Sequence, residues 1–171
     1  MEMEERWDLY DHDRQSLGIT IRRGEPIPAG CYHLVVHFCL FSSDGRLLCQ
    51  RRSLTKPTYP YFWDVTVGGA ALAGETSQQA VHREVLEEIG LDIDFSAREP
   101  AFSNVFIEFI DDYYFLVMDI DPSALSLQKE EVCAVRFFTL KEVRRMIRDK
   151  DFVQFSAIDQ IQEVHGQLFG E

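Results

Sequence analysis

GAALAGETSQQAVHREVLEEIGL, residues 69–91, holds the densest chemistry in the chain, and the fold is read outward from it. Gly69 and Gly74 follow Asp64-Val65-Thr66-Val67, so a strand is expected to end in a tight turn where backbone passes close to something. Thr76 offers an N-cap hydroxyl, and no Gly or Pro interrupts the residues before Gly90, which reads as the C-terminal stop. Within that helix Glu84, Glu87 and Glu88 stand at i, i+3 and i+4, and so share an arc of roughly 100°. Val81, Val85 and Ile89 form the adjoining apolar stripe, which presses the helix onto a core and leaves the acidic edge at its rim. Ala80, one turn before Glu84, projects little over that edge. Arg83 can pair with Glu87 or Glu75 and steer a carboxylate, which gives Glu75 and Arg83 an orienting role.

Like charges at this spacing destabilise an isolated helix by a few tenths of a kcal/mol per pair and call for a compensating cation. Oxygen ligands with no Cys or His pair nearby favour Mg²⁺ (or Mn²⁺) over Zn²⁺. The alternative reading of three glutamates in so acidic a chain is a solvated helix face.

The whole stretch matches G-x5-E-x7-R-E-U-x-E-E-x-G-U, with U aliphatic, at every fixed position: Gly69, Glu75, Arg83, Glu84, Glu87, Glu88 and Gly90, with Val85 and Leu91 as the aliphatics. At average residue usage, those identities arise by chance on the order of 10⁻⁹ per register. The stretch resembles the Nudix box. The resemblance implies an α/β Nudix fold, a mixed β-sheet sandwiched between helices (α/β/α), and Mg²⁺-dependent hydrolysis of a diphosphate joined to another group. It further implies a metal held by Glu84, Glu87, Glu88 and the Gly69 carbonyl. The general base would be a box glutamate or a carboxylate from a later loop, with Glu130 or Glu131 as the outside candidate.

The chain has 171 residues, 46% hydrophobic and 27% charged, which suits one cored domain over 1–171, with residues 1–29 as an N-terminal hairpin extension and 30–171 as the core. Seventeen Lys plus Arg against 29 Asp plus Glu give a net charge of −12, which argues against a nucleic-acid polymer held on a basic surface. An anionic substrate must therefore meet local positive charge or metal. Cys31, Cys39, Cys49 and Cys133 lie in apolar runs without a C-x-x-C pair and read as buried free thiols. No leader-like h-region and no apolar run near 18 residues occurs, so a cytoplasmic protein without a membrane span is expected. The expected partner is a small-molecule diphosphate; association into a homodimer is left open.

In chain order, residues 7–11 and 17–21 form a β-hairpin around Asp13-Arg14-Gln15-Ser16 and cover an edge. The strongest strand signal is YHLVVHFCLF, 32–41, followed by a turn at Asp44-Gly45 and a returning strand over 46–52. His33 and His37 fall on one face of that strand, as metal ligands or as ordinary hydrogen-bonded histidines. Residues 51–64 interleave Arg51, Arg52 and Lys56 with Tyr59, Tyr61, Phe62 and Trp63. There Arg52 and Lys56 could hold phosphates while Tyr61 and Trp63 stack on a base or prenyl group. Strands over 101–110 and 113–120 flank Asp111-Asp112 as a hairpin turn, and 132–138 gives another strand. Thr139 and Glu142 form a capping box for a helix to about Arg148, and 155–168 is a last amphipathic helix.

Past the box, over about 30–145, the pattern R-R-x-x-x-K, W-D-x-x-x-G-G and E-E-V resembles the branch that contains isopentenyl-diphosphate isomerases and related Nudix hydrolases. His33 aligns with an isomerase metal ligand and Asp112 lies near that enzyme's second acid. However, Gly68 stands where the isomerases carry a proton-transferring Cys, and Ala70 where they carry a metal-binding His; neither group can be replaced by glycine or alanine. Hydrolysis is therefore expected, on a nucleoside diphosphate or its sugar derivative, with isomerisation and a non-catalytic nucleotide- or protein-binding module as alternatives.

Overall fold

The computed structural model describes residues 4–153 and 155–170; the ends of the span 1–171, residues 1–3 and 171, lie outside the described residues. At the N-terminus β1 (Arg6–Tyr10) and β2 (Ser16–Arg22) form an antiparallel hairpin. Its turn is built by Asp11, whose Oδ1 accepts the backbone N–H groups of Asp13 and Gln15 at 2.9 Å each. The second sheet contains β3 (His33–Phe41), β4 (Leu47–Arg52), β5 (Trp63–Asp64), β6 (Val67–Ala70), β7 (Phe102–Val105), β8 (Phe109–Val117) and β9 (Val132–Phe138). Its helices are α1 (Ser77–Ile89), α2 (Leu140–Arg148) and α3 (Ile158–Phe169).

β3 is central because its pattern lets it bury both faces. It runs parallel to β8, which pairs antiparallel with β7, and antiparallel to β6 on its other side. At Phe41↔Leu47 it folds into β4, which carries β9 and β5. The sheet is mixed. Leu34, Val36, Phe38 and Leu40 point to one core with Ala80, Val81, Val85 and Ile89 of α1. Cys39 and Phe41, on the opposite face, join a second core with Leu140 and Val143 of α2 and Ile161 of α3. This period-two partition makes the α/β/α sandwich, helices on both faces.

Both capping boxes close as the residue types dictate. Thr76 accepts the Gln79 N–H while the Gln79 side chain accepts the Thr76 N–H, and Thr139 and Glu142 do the same for α2. Gly90 ends α1 at φ 73°, the left-handed stop.

Two expectations are corrected. The strand before α1 does not end at Val67 in a turn holding Gly69: β6 continues through Gly68 and Gly69, paired with His37 and Val36. Asp111 and Asp112 are no hairpin turn but the interior of β8, 2% and 0% exposed. The turn between β7 and β8 lies at 106–108 instead, with the Phe106 N–H bonded to the Phe109 carbonyl.

Asp112 explains how the hairpin is fastened. Its oxygens accept the Arg14 guanidinium at 2.6 and 2.8 Å, Ser103 at 2.6 Å and Ser77 at 2.5 Å, tying the hairpin turn, β7 and the start of α1 to one carboxylate. Burial pushes the Asp112 pKa up, but Arg14, Ser103 and Ser77 outweigh it and hold it below the usual range. Asp112→Ala strands three polar partners and is expected to cost about 3–5 kcal/mol in urea denaturation. Because the folded pKa is depressed, this stabilisation is complete above the unfolded value near pH ~4 and fades on further acidification, a component the variant should lack.

Candidate active site

Gly69 and Glu84 set the geometry. β6 passes so near α1 that a Cβ on Gly69 would overlap the carboxyl carbon and Oε1 of Glu84 and lie 2.9 Å from its Cγ. Glycine is needed here for close approach, not for a turn. Arg83 fixes the neighbouring acids. Its Nε and one terminal nitrogen bond Glu75 at 2.6 and 3.0 Å, that same terminal nitrogen donates to the Ala70 carbonyl, and the other reaches Glu84 at 3.0 Å and Glu87 at 3.3 Å. Glu75 also accepts the Leu72 N–H at 2.8 Å, locking the loop into α1.

The box carboxylates differ sharply in environment. Glu88 is 6% exposed, and burial followed by the Glu84 charge raises its pKa, while a 2.9 Å hydrogen bond from Gln50 Nε2 opposes the rise. Burial likewise raises Glu84 to about 7 against the pull of Arg83. Glu87 is the exposed member, turned to Arg83. Among the described residues no three His, Cys, Asp or Glu side chains already share a coordination sphere, so the three carboxylates line one cleft without converging on one point. Arg83 bonds Glu84 and Glu87, while Glu88 is held by Gln50. The donor chemistry nevertheless fits a hard divalent cation: carboxylate and carbonyl oxygens only, with Glu88 buried and Glu84 half-buried at an electrostatic cost that a cation would relieve.

The cleft encloses about 250 Å³. Across from Glu84, Glu87 and Glu88 stand Arg52, Lys56 and Glu131, with Glu131 ion-paired to Lys56. Glu130 is exposed and does not line the cleft. Arg52 also braces its own loop, donating from Nε and one terminal nitrogen to the Thr58 carbonyl at 3.1 and 2.9 Å. Glu5 and Arg23 reach the rim from the N-terminal hairpin, which meets the main sheet beside the start of β3, at Tyr10 and Tyr32, and frames the cleft. Gln50 and Arg23 were not legible as site residues: a glutamine inside an apolar strand and an arginine in a distant hairpin carry no local signal, and only the fold brings them here.

The loop aromatics are redistributed. Trp63 is not a stacking platform for substrate; it is 8% exposed in the second core, edge-on to Phe138 at 4.9 Å, because β5 pairs it into the sheet. Tyr61 lines neither this cleft nor the cavity beside it, and its ring lies under the Arg51 guanidinium at 3.8 Å. Tyr59 is the loop tyrosine that faces that second cavity, of about 600 Å³.

Both histidines of β3 line the second cavity as well. The His33 ring stacks on Trp7 at 4.0 Å, and burial lowers its pKa to about 4. His37 Nδ1 lies 2.6 Å from Asp111 Oδ1, and the Tyr113 hydroxyl donates to Asp111 Oδ2 at 2.8 Å. Burial disfavours the charged imidazole, but Asp111 outweighs it and the His37 pKa is raised. The histidines are thus ring-stacked and, for His37, carboxylate-bonded, apart from the box glutamates.

The NUDIX domain profile matches residues 32–159, from the start of the central strand into the last helix. An uncharacterized Nudix hydrolase of Listeria monocytogenes is 43% identical over 157 residues, covering 92% of this chain and 93% of that one. The crystal structure of DR0079 from Deinococcus radiodurans superposes with a TM-score of 0.77 at 25% identity, over 93% of this chain and 98% of that one. An isopentenyl-diphosphate Delta-isomerase of Salmonella heidelberg is 40% identical over 72 residues, 42% of this chain and 40% of that protein.

Proposed function

The chain belongs to the Nudix hydrolase family, and from that premise we propose that it cleaves a diphosphate linkage, in a nucleoside diphosphate or a nucleoside diphosphate joined to another group, by attack of water at phosphorus. The observation that carries the reading is the buried Glu88 and half-buried Glu84, which line one small polar cleft with Gly69, Arg52 and Lys56.

Glu84, Glu87, Glu88 and the Gly69 carbonyl are the residues that would hold Mg²⁺ or Mn²⁺. Such an ion neutralises diphosphate oxygens and lowers the pKa of water. Arg52, Lys56 and Arg23 supply the remaining positive charge and orient the phosphates, which in a chain of net charge −12 must be concentrated locally. Glu131, ion-paired to Lys56 at the cleft wall, is the carboxylate that would accept the proton of the attacking water. Gly68 and Ala70, without Cys or His side chains, leave the isomerase reading neither its proton-transferring group nor its metal ligand at those positions. The four thiols are free, but only Cys39 and Cys49 are buried as expected, Cys31 being half-buried and Cys133 exposed; free thiols suit the cytoplasm.

A panel of nucleoside diphosphates, nucleotide sugars and prenyl diphosphates, each incubated with Mg²⁺, with Mn²⁺ and after chelation, tests this. Hydrolysis products should appear with metal, fall to background with EDTA and return on adding metal. Tight binding without product would mean a non-catalytic module. Interconverted prenyl diphosphates without phosphate release would mean an isomerase.

A further inference from the structure

The second cavity, of about 600 Å³, shares a wall with the acidic cleft, and nothing in the hydrolytic mechanism uses it. Arg52 lines both. The partition elsewhere is one residue thick: the edge of the His37 ring lies over Gly68, where a Cβ would sit 2.7 Å from Cδ2 and 2.9 Å from Nε2. A group attached to a diphosphate seated on Arg52 has this cavity directly beside it.

The lining specifies what fits. Tyr59, Phe106, Phe109 and Phe155 give the walls, with Tyr113 stacked on His37 at 5.0 Å and Phe155 edge-on to both rings. Ring walls of this kind favour a flat partner over a flexible chain. Two of the polar groups among them, Asp64 and Asp111, are carboxylates. Both oxygens of Asp111 are taken, by His37 and Tyr113. Asp64 is not so served. It is 8% exposed, its Oδ1 accepts the Val65 N–H at 2.8 Å, and its Oδ2 has only the long 3.5 Å contact to Arg52. A carboxylate buried with an under-used oxygen costs free energy until a donor reaches it. His37 donates Nδ1–H to Asp111, and its Nε2 has no hydrogen-bond partner among the described residues.

We propose that this cavity receives the group carried by the diphosphate, and that the group is a planar heterocycle bearing an amino substituent, whose N–H donors meet Asp64 while its faces lie between Tyr59 and Phe155. This rests on the diphosphate reading above and adds the substrate class. A keto oxygen at the same ring position would face Asp64 with like polarity, and a prenyl chain would leave Asp64 unserved.

The test is equilibrium binding, by calorimetry, of non-hydrolysable methylene-bridged diphosphate analogues in pairs that exchange amino for keto: adenosine against inosine, cytidine against uridine, with a prenyl analogue as the ringless member. The amino member of each pair should bind about tenfold more tightly, the difference one hydrogen bond to a charged group makes. Asp64→Asn, checked for folding by circular dichroism, should shrink that ratio to about twofold or less, because an amide can turn to serve either partner. Phe155→Ala should weaken every ring analogue and leave the prenyl analogue unchanged; this variant keeps the test open if Asp64→Asn does not fold. Equal affinity for amino and keto members, or a prenyl analogue that binds as tightly as the rings, overturns the assignment. Because binding is read without turnover, failure here is separate from failure of the hydrolase reading, which the metal-dependent panel decides.

Discussion

Glu88→Gln is expected to lower kcat by about 10³-fold or more, while the variant unfolds in EDTA at the same temperature as the wild type or a few degrees higher. The two halves have one cause. Glu88 is 6% exposed beside Glu84, and burial of its charge is a cost that the fold bears without return in packing. A glutamine has the same shape and none of that charge, and Gln50, which donates to Glu88 Oε2 at 2.9 Å, can turn its own amide to meet either end of the new one. What is lost is an anionic oxygen at the floor of the cleft. The wild type should therefore gain thermal stability on adding Mg²⁺ or Mn²⁺, as any protein does when a ligand binds its native state, and the variant should gain little. Thermal unfolding with and without metal, alongside single-turnover rates, reads all of this. A variant that turns over near the wild-type rate, or that unfolds far below it, would contradict the assignment of Glu88 to function rather than to folding.

Much of this was legible because its signals are local. The α1 capping residues, the i, i+3, i+4 acids and the apolar stripe all lie within one short stretch, and the structure returns them as a helix on the core face of the sheet. The strand at 32–41 was legible for the same reason: its period-two pattern is sufficient to place alternate residues in two cores. Asp111 and Asp112 were misread because two adjacent acids between apolar runs have the local appearance of a turn. Their actual partners, His37 and Arg14, are 74 and 98 residues away in sequence and leave no mark near them. The turn that does occur, at Phe106-Ile107-Glu108, lacks both Gly and Pro. Trp63 was misplaced by the opposite fault. A basic and aromatic run reads as a single loop, whereas in the structure Arg51 braces the Tyr61 carbonyl, Arg52 holds the Thr58 carbonyl while lining the cleft, and Trp63 goes into the core. That division depends on β5 pairing with β4, a tertiary fact.

Gly69→Ala tests whether the site depends on close approach of strand and helix. The added methyl would overlap the Glu84 carboxyl group, which is the free end of a flexible side chain, so the clash is relieved by swinging that carboxylate and not by moving backbone. Gly69 does not have a positive φ, so alanine introduces no backbone strain. The expected result is a variant folded like the wild type, within about 1 kcal/mol in urea denaturation, whose activity falls about 10²-fold and whose metal requirement shifts to higher concentration. If the loss arises through Glu84, it must vanish where Glu84 is already inert. In a Glu84→Gln background, Gly69→Ala should cost less than about threefold, a non-additivity that only coupled neighbours show. Full additivity would instead assign the loss to the Gly69 carbonyl or to the β3–β6 pairing. Gly68→Ala, one residue earlier on the opposite face of β6, separates these possibilities, since its methyl would meet the His37 ring and not Glu84. It should leave the metal requirement unchanged.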